Sequence, residues 1–177
     1  MAHVRRMQFF DTELEEIRMI KVGDKIPSAK LMHMTKDGPR PITTEELFGG
    51  KKVVLFALPG AFTPTCSAKH VPGFVQNFDA IKGKGVDTIA CVSVNDAFVM
   101  NAWAKDQNSG DKVLMLADGN AEFSDKMGLT FDASGFGMGK RSQRYAMVVQ
   151  DGTVKALNVE KPGAFEVSSA ESILKAL

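Results

Sequence analysis

A run of apolar residues with an abrupt end constrains the fold most. Val53-Val54-Leu55-Phe56-Ala57-Leu58 carries no polar side chain and stops at Pro59-Gly60. A continuous apolar run closed by turn residues fits a central strand covered on both faces, as in a sheet with helices on either side. From Pro64 to about Ile81 the pattern is helical, with Pro72 expected to kink it. A buried strand that turns directly into a helix is the working unit of α/β folds, which gather functional groups at the carboxyl ends of their strands.

The remaining segments extend that pattern. Ala29–Met34 reads as a short strand, and Asp37-Gly38-Pro39 as a turn. Thr43-Thr44-Glu45-Glu46 has the hydroxyl cap and first-turn acids of a helix start, with Gly49-Gly50 at its end. Strands are expected at Val86–Val94 and Val113–Ala117, and helices at Ala97–Asp106 and Ala121–Met127. Tyr145–Val149 and Val154–Val159 flank Gln150-Asp151-Gly152-Thr153, a hairpin signature. A closing helix covers Ser169–Leu177, with Ser168 or Ser169 as its cap. The order predicts an α/β three-layer sandwich with a central mixed sheet, compatible with a thioredoxin-like arrangement. Residues 20–177 form that domain. Residues 1–19 are an extension in which Met7, Phe10, Leu14 and Ile17 recur at the spacing of a short amphipathic helix.

Composition narrows the function classes. Lys+Arg number 22 and Asp+Glu 21, so a formal charge of +1 offers no footprint for nucleic acid or an anionic membrane. No apolar run reaches the roughly 18–20 residues of a membrane span. The amino-terminal residues lack a signal-peptide pattern, which points to the cytoplasm. Two cysteines, Cys66 and Cys91, exclude a disulfide-dense scaffold and a Cys-rich zinc site. The three histidines, His3, His33 and His70, are scattered, so a compact His/Cys metal cluster is not expected; no cofactor is expected either.

The chemistry concentrates in Pro59-Gly60-Ala61-Phe62-Thr63-Pro64-Thr65-Cys66. Pro64 suits the first helical position, and Thr63 can cap the helix through its hydroxyl. Cys66 then stands in the first turn, where free amides and the positive end of the helix dipole favour a thiolate. Cys91, in Ile89-Ala90-Cys91-Val92, reads as inert core of a strand. His70 lies four residues after Cys66 on the same helix face. It is either an imidazolium that supports the thiolate or a structural histidine bonded to backbone. Trp103 reads as a packing residue on its helix. Gly135-Phe136-Gly137-Met138-Gly139-Lys140 fails the phosphate-loop pattern, because Ser134 replaces a glycine and Arg141 follows Lys140. It is expected to be a mobile loop near the active site.

Pro59, Thr63 and Cys66 match the motif P-x-x-x-T-x-x-C. Together with PGAFTPTCSAKHVPGF, the run Val92–Met100 and the run Arg144–Gly152, they resemble the type-five peroxiredoxins from about Ile20 to the carboxyl terminus. That resemblance implies a thiol peroxidase in which Cys66 attacks a hydroperoxide and becomes a sulfenic acid. It implies that Thr63 orients the peroxide, that Pro59 shields the thiolate, and that Arg144 holds both thiolate and peroxide. The alternative for Gly139–Arg144, including Arg141, is a solvated basic loop. Backbone amides of Thr65 and Cys66 are candidates for the rest of the peroxide cradle.

The chain departs from relatives that carry a second, resolving cysteine near the carboxyl terminus. Gly163-Ala164-Phe165-Glu166-Val167-Ser168-Ser169 contains none. The expectation is therefore a one-cysteine peroxidase regenerated by an external thiol, glutathione with a separate glutaredoxin. Thioredoxin as reductant, or a redox sensor or holdase switched by Cys66 oxidation, are the alternatives. The resemblance also suggests a homodimer, for which Phe62, Val71 and Phe74 could supply apolar contacts or could equally be core.

Overall fold

The computed structural model describes residues 18–177. The amphipathic pattern at Met7, Phe10, Leu14 and Ile17 lies outside them. From the amino-terminal side come strands β1 (Lys30–Thr35) and β2 (Gly38–Thr43), helix α1 (Thr44–Phe48) and strand β3 (Lys52–Ala57). A π-helical turn, Cys66–His70, leads into α2 (Val71–Gln76) and α3 (Phe78–Lys82). Then follow β4 (Thr88–Ser93), α4 (Ala97–Asp106), β5 (Leu114–Ala117) and α5 (Glu122–Lys126). The chain closes with β6 (Thr130–Asp132), β7 (Lys140–Ser142), β8 (Tyr145–Gln150), β9 (Thr153–Val159) and α6 (Ala170–Ala176).

The helix starts are written in side chains. Thr43 Oγ1 accepts the Glu46 amide while the Glu46 carboxylate accepts the Thr43 amide, a reciprocal capping box. Asp96 caps α4 through the Val99 amide, and Ser169, not Ser168, caps α6 through the Ser172 amide. The β8–β9 hairpin turns on Asp151 and Gly152, with φ of 46° and 75°, the left-handed pair that matches strand twist.

Seven strands form one mixed sheet in the order β2-β1-β5-β4-β3-β8-β9. The strands β3, β4 and β5 run parallel, whereas β8 pairs antiparallel with β3. Alternation along β3 divides the core. Val54 and Phe56 face α2, α4 and α6 with Val71, Phe74, Met100, Trp103 and Ile173. Val53, Leu55 and Ala57 face α1 and α5 with Phe48, Phe123 and Met127. The three-layer, thioredoxin-like α/β sandwich with a central mixed sheet is what the chain adopts.

Three local expectations need correction. The turn assigned to Asp37-Gly38-Pro39 sits one step earlier, and Gly38–Thr43 is strand despite Pro39 and Pro41. It is tolerated because β2 is an edge strand, where a missing amide costs no ladder bond. The stretch from Pro64 to Ile81 is helical as expected, but not as one regular α-helix: it passes through a π-helical turn into α2 and α3, which part at Asn77. The wide turn ends where Pro72 enters, since the Val71 amide reaches back to Cys66 O and Pro72 has no amide to continue the ladder. The glycine-rich segment is a loop as expected through Gly139, but Lys140 opens β7, and the loop closes a two-stranded ribbon, β6–β7, whose three-residue strands carry no periodic signal.

Candidate active site

The end of β3 delivers the chain to the site. Beyond Leu58, Pro59 and Gly60 turn it, and the Ala61 amide donates to Asn95 Oδ1 at 3.0 Å. Ser93 Oγ shares the same Asn95 oxygen at 2.6 Å, so the end of β4 pins this turn. Phe62 sits at φ 63°, a left-handed conformation costly for an aromatic residue. Thr63 Oγ1 donates to Gly60 O at 2.7 Å. The hydroxyl therefore does not close the helix as expected; its proton is engaged on the turn, and its lone pairs are left to accept. Ser67 N–H to Thr63 O, at 3.0 Å, is the first helical bond. The amides of Thr65 and Cys66 precede it and have no intrahelical acceptor.

Cys66 is buried at the start of the π-helical turn. The sulfur is met from the sheet side by Arg144, and strand register explains how. Ala57 pairs with Tyr145 in the antiparallel β3–β8 ladder, so Arg144, one residue earlier, lies at the carboxyl end of β3. By alternation it shares the face of Ala146 and Val148, the face that also buries Cys66. Arg144 Nη2 donates to Cys66 Sγ at 3.2 Å. A guanidinium there stabilises negative charge on sulfur.

His70 brackets the same guanidinium. Its Nε2 meets Ser168 O at 2.9 Å and its Nδ1 meets Arg144 Nη1 at 2.9 Å. A carbonyl only accepts and a guanidinium only donates, so the proton is on Nε2 and the ring is neutral. Burial, and then the charge of Arg144, push the imidazole down to about 3. The imidazolium reading of His70 is thus replaced by a neutral acceptor that orients Arg144. Phe165 packs edge-on against His70 at 5.0 Å, and the Arg144 guanidinium lies 5.9 Å from the same ring.

Arg141 is separate from the sulfur: its Nε donates to Met138 O at 2.9 Å and its Nη1 to Pro59 O at 3.4 Å. It ties the ribbon to the turn before the helix, neither solvated loop nor partner of Cys66. The ribbon's nearness to the site agrees with expectation, since a methyl group on Gly60 would lie 3.1 Å from Arg141 Nη1 and 3.6 Å from Met138 Cε. Cys91 is fully buried on β4, and burial, then the proximity of Cys66, raise its thiol well above the ordinary range. It stays protonated core. Trp103 is buried as expected, and its indole also donates to Ser67 Oγ at 3.0 Å, beside Cys66. Among the described residues, no group of three His, Cys, Asp or Glu side chains could hold a metal.

The chain matches the Redoxin family over residues 21–174. It is 52% identical to Peroxiredoxin-2E, chloroplastic, of Arabidopsis thaliana, across 89% of this chain and 69% of that protein. The chain is a peroxiredoxin. Its likeness to peroxiredoxin 5 of Alvinella pompejana, 35% identical over 89% of this chain and 97% of that one with a TM-score of 0.78, places it with the type-five members. A crystal structure of reduced Prx3 from Vibrio vulnificus in complex with hydrogen peroxide superposes with a TM-score of 0.87. The two are 56% identical, with 89% of this chain and 99% of that one covered. As a peroxiredoxin the chain is a thiol peroxidase, using a peroxide and a thiol reductant.

Sequence reasoning had no hold on Asn95 or Phe165 as parts of this peroxiredoxin site, nor on Glu160, whose carboxylate accepts the amides of Glu166, Val167 and Ser168 beside it. Only the β8–β9 hairpin carried a usable signal for one of them: pairing Tyr145 with Val159 sets Glu160 opposite Arg144.

Proposed function

We propose that Cys66 is the peroxide-attacking sulfur of a one-cysteine peroxidase for hydrogen peroxide and organic hydroperoxides. The observation that carries this reading is the 3.2 Å bond from Arg144 to Cys66 Sγ, with the guanidinium held from behind by neutral His70. The thiolate attacks one peroxide oxygen, the O–O bond breaks heterolytically, and the products are Cys66 sulfenic acid and, after protonation, water or an alcohol. Arg144 and the unbonded amides of Thr65 and Cys66 face the charge that grows on the peroxide oxygens. Thr63 Oγ1, its own proton committed to Gly60 O, accepts a hydrogen bond from the O–H of the substrate hydroperoxide. Pro59 closes the pocket beside the turn that Arg141 holds.

The regeneration step follows from what the chain does not offer. Cys91 is protonated and packed within β4, and the segment 163–169 has no thiol. On this reading glutathione condenses with the sulfenic acid, releasing water and leaving a mixed disulfide on Cys66. A second thiol, from a separate glutaredoxin, then reduces it. The protein works in the cytoplasm as a homodimer with Phe62 and Phe98 at its contact surface. Both rings are exposed, whereas Val71 and Phe74 take the alternative role of core residues.

Trp103, the single tryptophan, is bonded to Ser67 beside Cys66, so its fluorescence reports oxidation of the sulfur in stopped flow. Wild type and Cys91→Ser are expected to react with hydrogen peroxide and turn over with glutathione and glutaredoxin, and Cys66→Ser to be inert. Arg144→Lys, with one nitrogen unable to serve both His70 and Cys66, is expected to lose about 100-fold in rate. Turnover with thioredoxin alone, or a requirement for Cys91, would overturn the regeneration step. Oxidation without turnover by any thiol would put the sensor reading in its place.

A further inference from the structure

A single carboxylate oxygen gathers the segment that follows β9. Glu160 Oε1 accepts the amides of Glu166, Val167 and Ser168 at 2.7, 2.7 and 2.8 Å, and the Ser168 hydroxyl at 2.9 Å. Glu160 is only 7% exposed, and among the described residues no lysine or arginine forms an ion pair with it. Its charge is met by aimed N–H and O–H dipoles. Burial opposes its ionisation, but these donors outweigh burial and hold the carboxyl below the usual carboxylate range. Sheet register puts the residue there, because the Glu160 amide donates to Arg144 O at 2.9 Å, one step beyond the Tyr145–Val159 pair.

The consequence runs through Ser168. Its amide and hydroxyl are held by Glu160, so its carbonyl has a defined direction, and that carbonyl takes the Nε2 proton of His70 at 2.9 Å. His70 Nδ1 is then a lone pair, the only form that can receive Arg144 Nη1. The other tautomer would set an N–H against a guanidinium N–H and drive Arg144 off. Phe165, which touches both His70 and Arg144, lies in the same segment.

We propose that Glu160 is a positioning residue for peroxide reduction: by fixing the Ser168 carbonyl it holds His70 in the Nε2–H tautomer and so aims Arg144 at Cys66. The inference rests on the reading of Cys66 and Arg144 as the reacting pair.

The test compares full-length wild type with Glu160→Ala and Glu160→Gln by two readouts. Nitrogen-15 NMR of labelled histidine, with His70 assigned through His70→Asn, reports the tautomer. Stopped-flow Trp103 fluorescence with hydrogen peroxide reports the rate. Wild type is expected to show Nε2–H at His70. Glu160→Ala is expected to shift His70 toward the Nδ1–H form and to slow the reaction about 10–100-fold. Glu160→Gln keeps an acceptor oxygen but no charge for four donors, and is expected to fall between the two; it carries the test if the alanine variant does not fold. A slower reaction with His70 unchanged, a changed tautomer at an unchanged rate, or no change in either readout would each overturn the proposal. Cys66→Ser tests the underlying reading separately: peroxide consumption by that variant would remove the reacting pair, whatever the tautomer in the Glu160 variants shows.

Discussion

At Arg144 one side chain serves two partners, the sulfur of Cys66 and the ring of His70, and the neutral state of that ring is what allows it. The same neutrality has a thermodynamic cost at low pH. An unfolded histidine takes up its proton near 6.5, whereas His70 in the fold resists protonation down to about 3. Between those values the unfolded chain binds more protons, so stability is full above roughly 6.5 and is lost as pH falls toward 3. The expected slope approaches about 1.4 kcal/mol per pH unit once the unfolded histidine is charged. Urea unfolding from pH 7 to 5 should show this decline in wild type and a flatter profile in His70→Gln. Equal profiles would mean that His70 does not resist protonation in the fold.

Among the elements, those nearest the site are short and are held by neighbours more than by their own length. The π-helical turn carries Cys66 and His70, and Phe56 of β3 packs tilted against His70 at 4.9 Å. The turn after α5 shows how tightly such joints are built. Gly128 has φ 67°, and a methyl group on it would lie 2.6 Å from Arg18 O and 2.8 Å from Met19 Cα. The Ile20 amide donates to Met127 O at 2.9 Å, so the start of the domain is laid directly on this turn. Gly128→Ala is expected to destabilise the protein by about 1–3 kcal/mol through positive-φ strain and overpacking. Limited proteolysis should then cut near residues 18–20 sooner than in wild type. A variant with wild-type stability and cleavage would show that this close approach yields easily.

Across the whole molecule, β3 lies inside the seven-stranded sheet, between β4 and β8, and contributes side chains to both core layers. Phe56 is fully buried and stacks on Phe74 with centroids 4.0 Å apart. Phe56→Ala is expected to cost about 3–5 kcal/mol, read as a lower midpoint in a single denaturant transition. Because the same ring supports His70, peroxide reactivity should fall with it. A loss of stability with fully retained reactivity would uncouple the core from the site.

Local signals in the sequence determined much of this protein. The apolar run Val53–Leu58, the Thr43–Glu46 capping box and the Asp151-Gly152 turn each act within a few residues, so strand, helix start and hairpin could be read directly. The Cys66, Thr63 and Pro59 cluster was legible for the same reason, since one strand-to-helix turn holds all three. Edge strand β2, the β6–β7 ribbon and the π-helical turn were not, because their prolines, brevity or altered hydrogen bonding remove the periodic pattern. Tertiary structure alone decided how Arg144 reaches Cys66, that His70 is neutral, and that Glu160 stands behind both. Those facts depend on strand register and on burial, which bring together residues 66, 70, 144, 160 and 168 from separate parts of the chain.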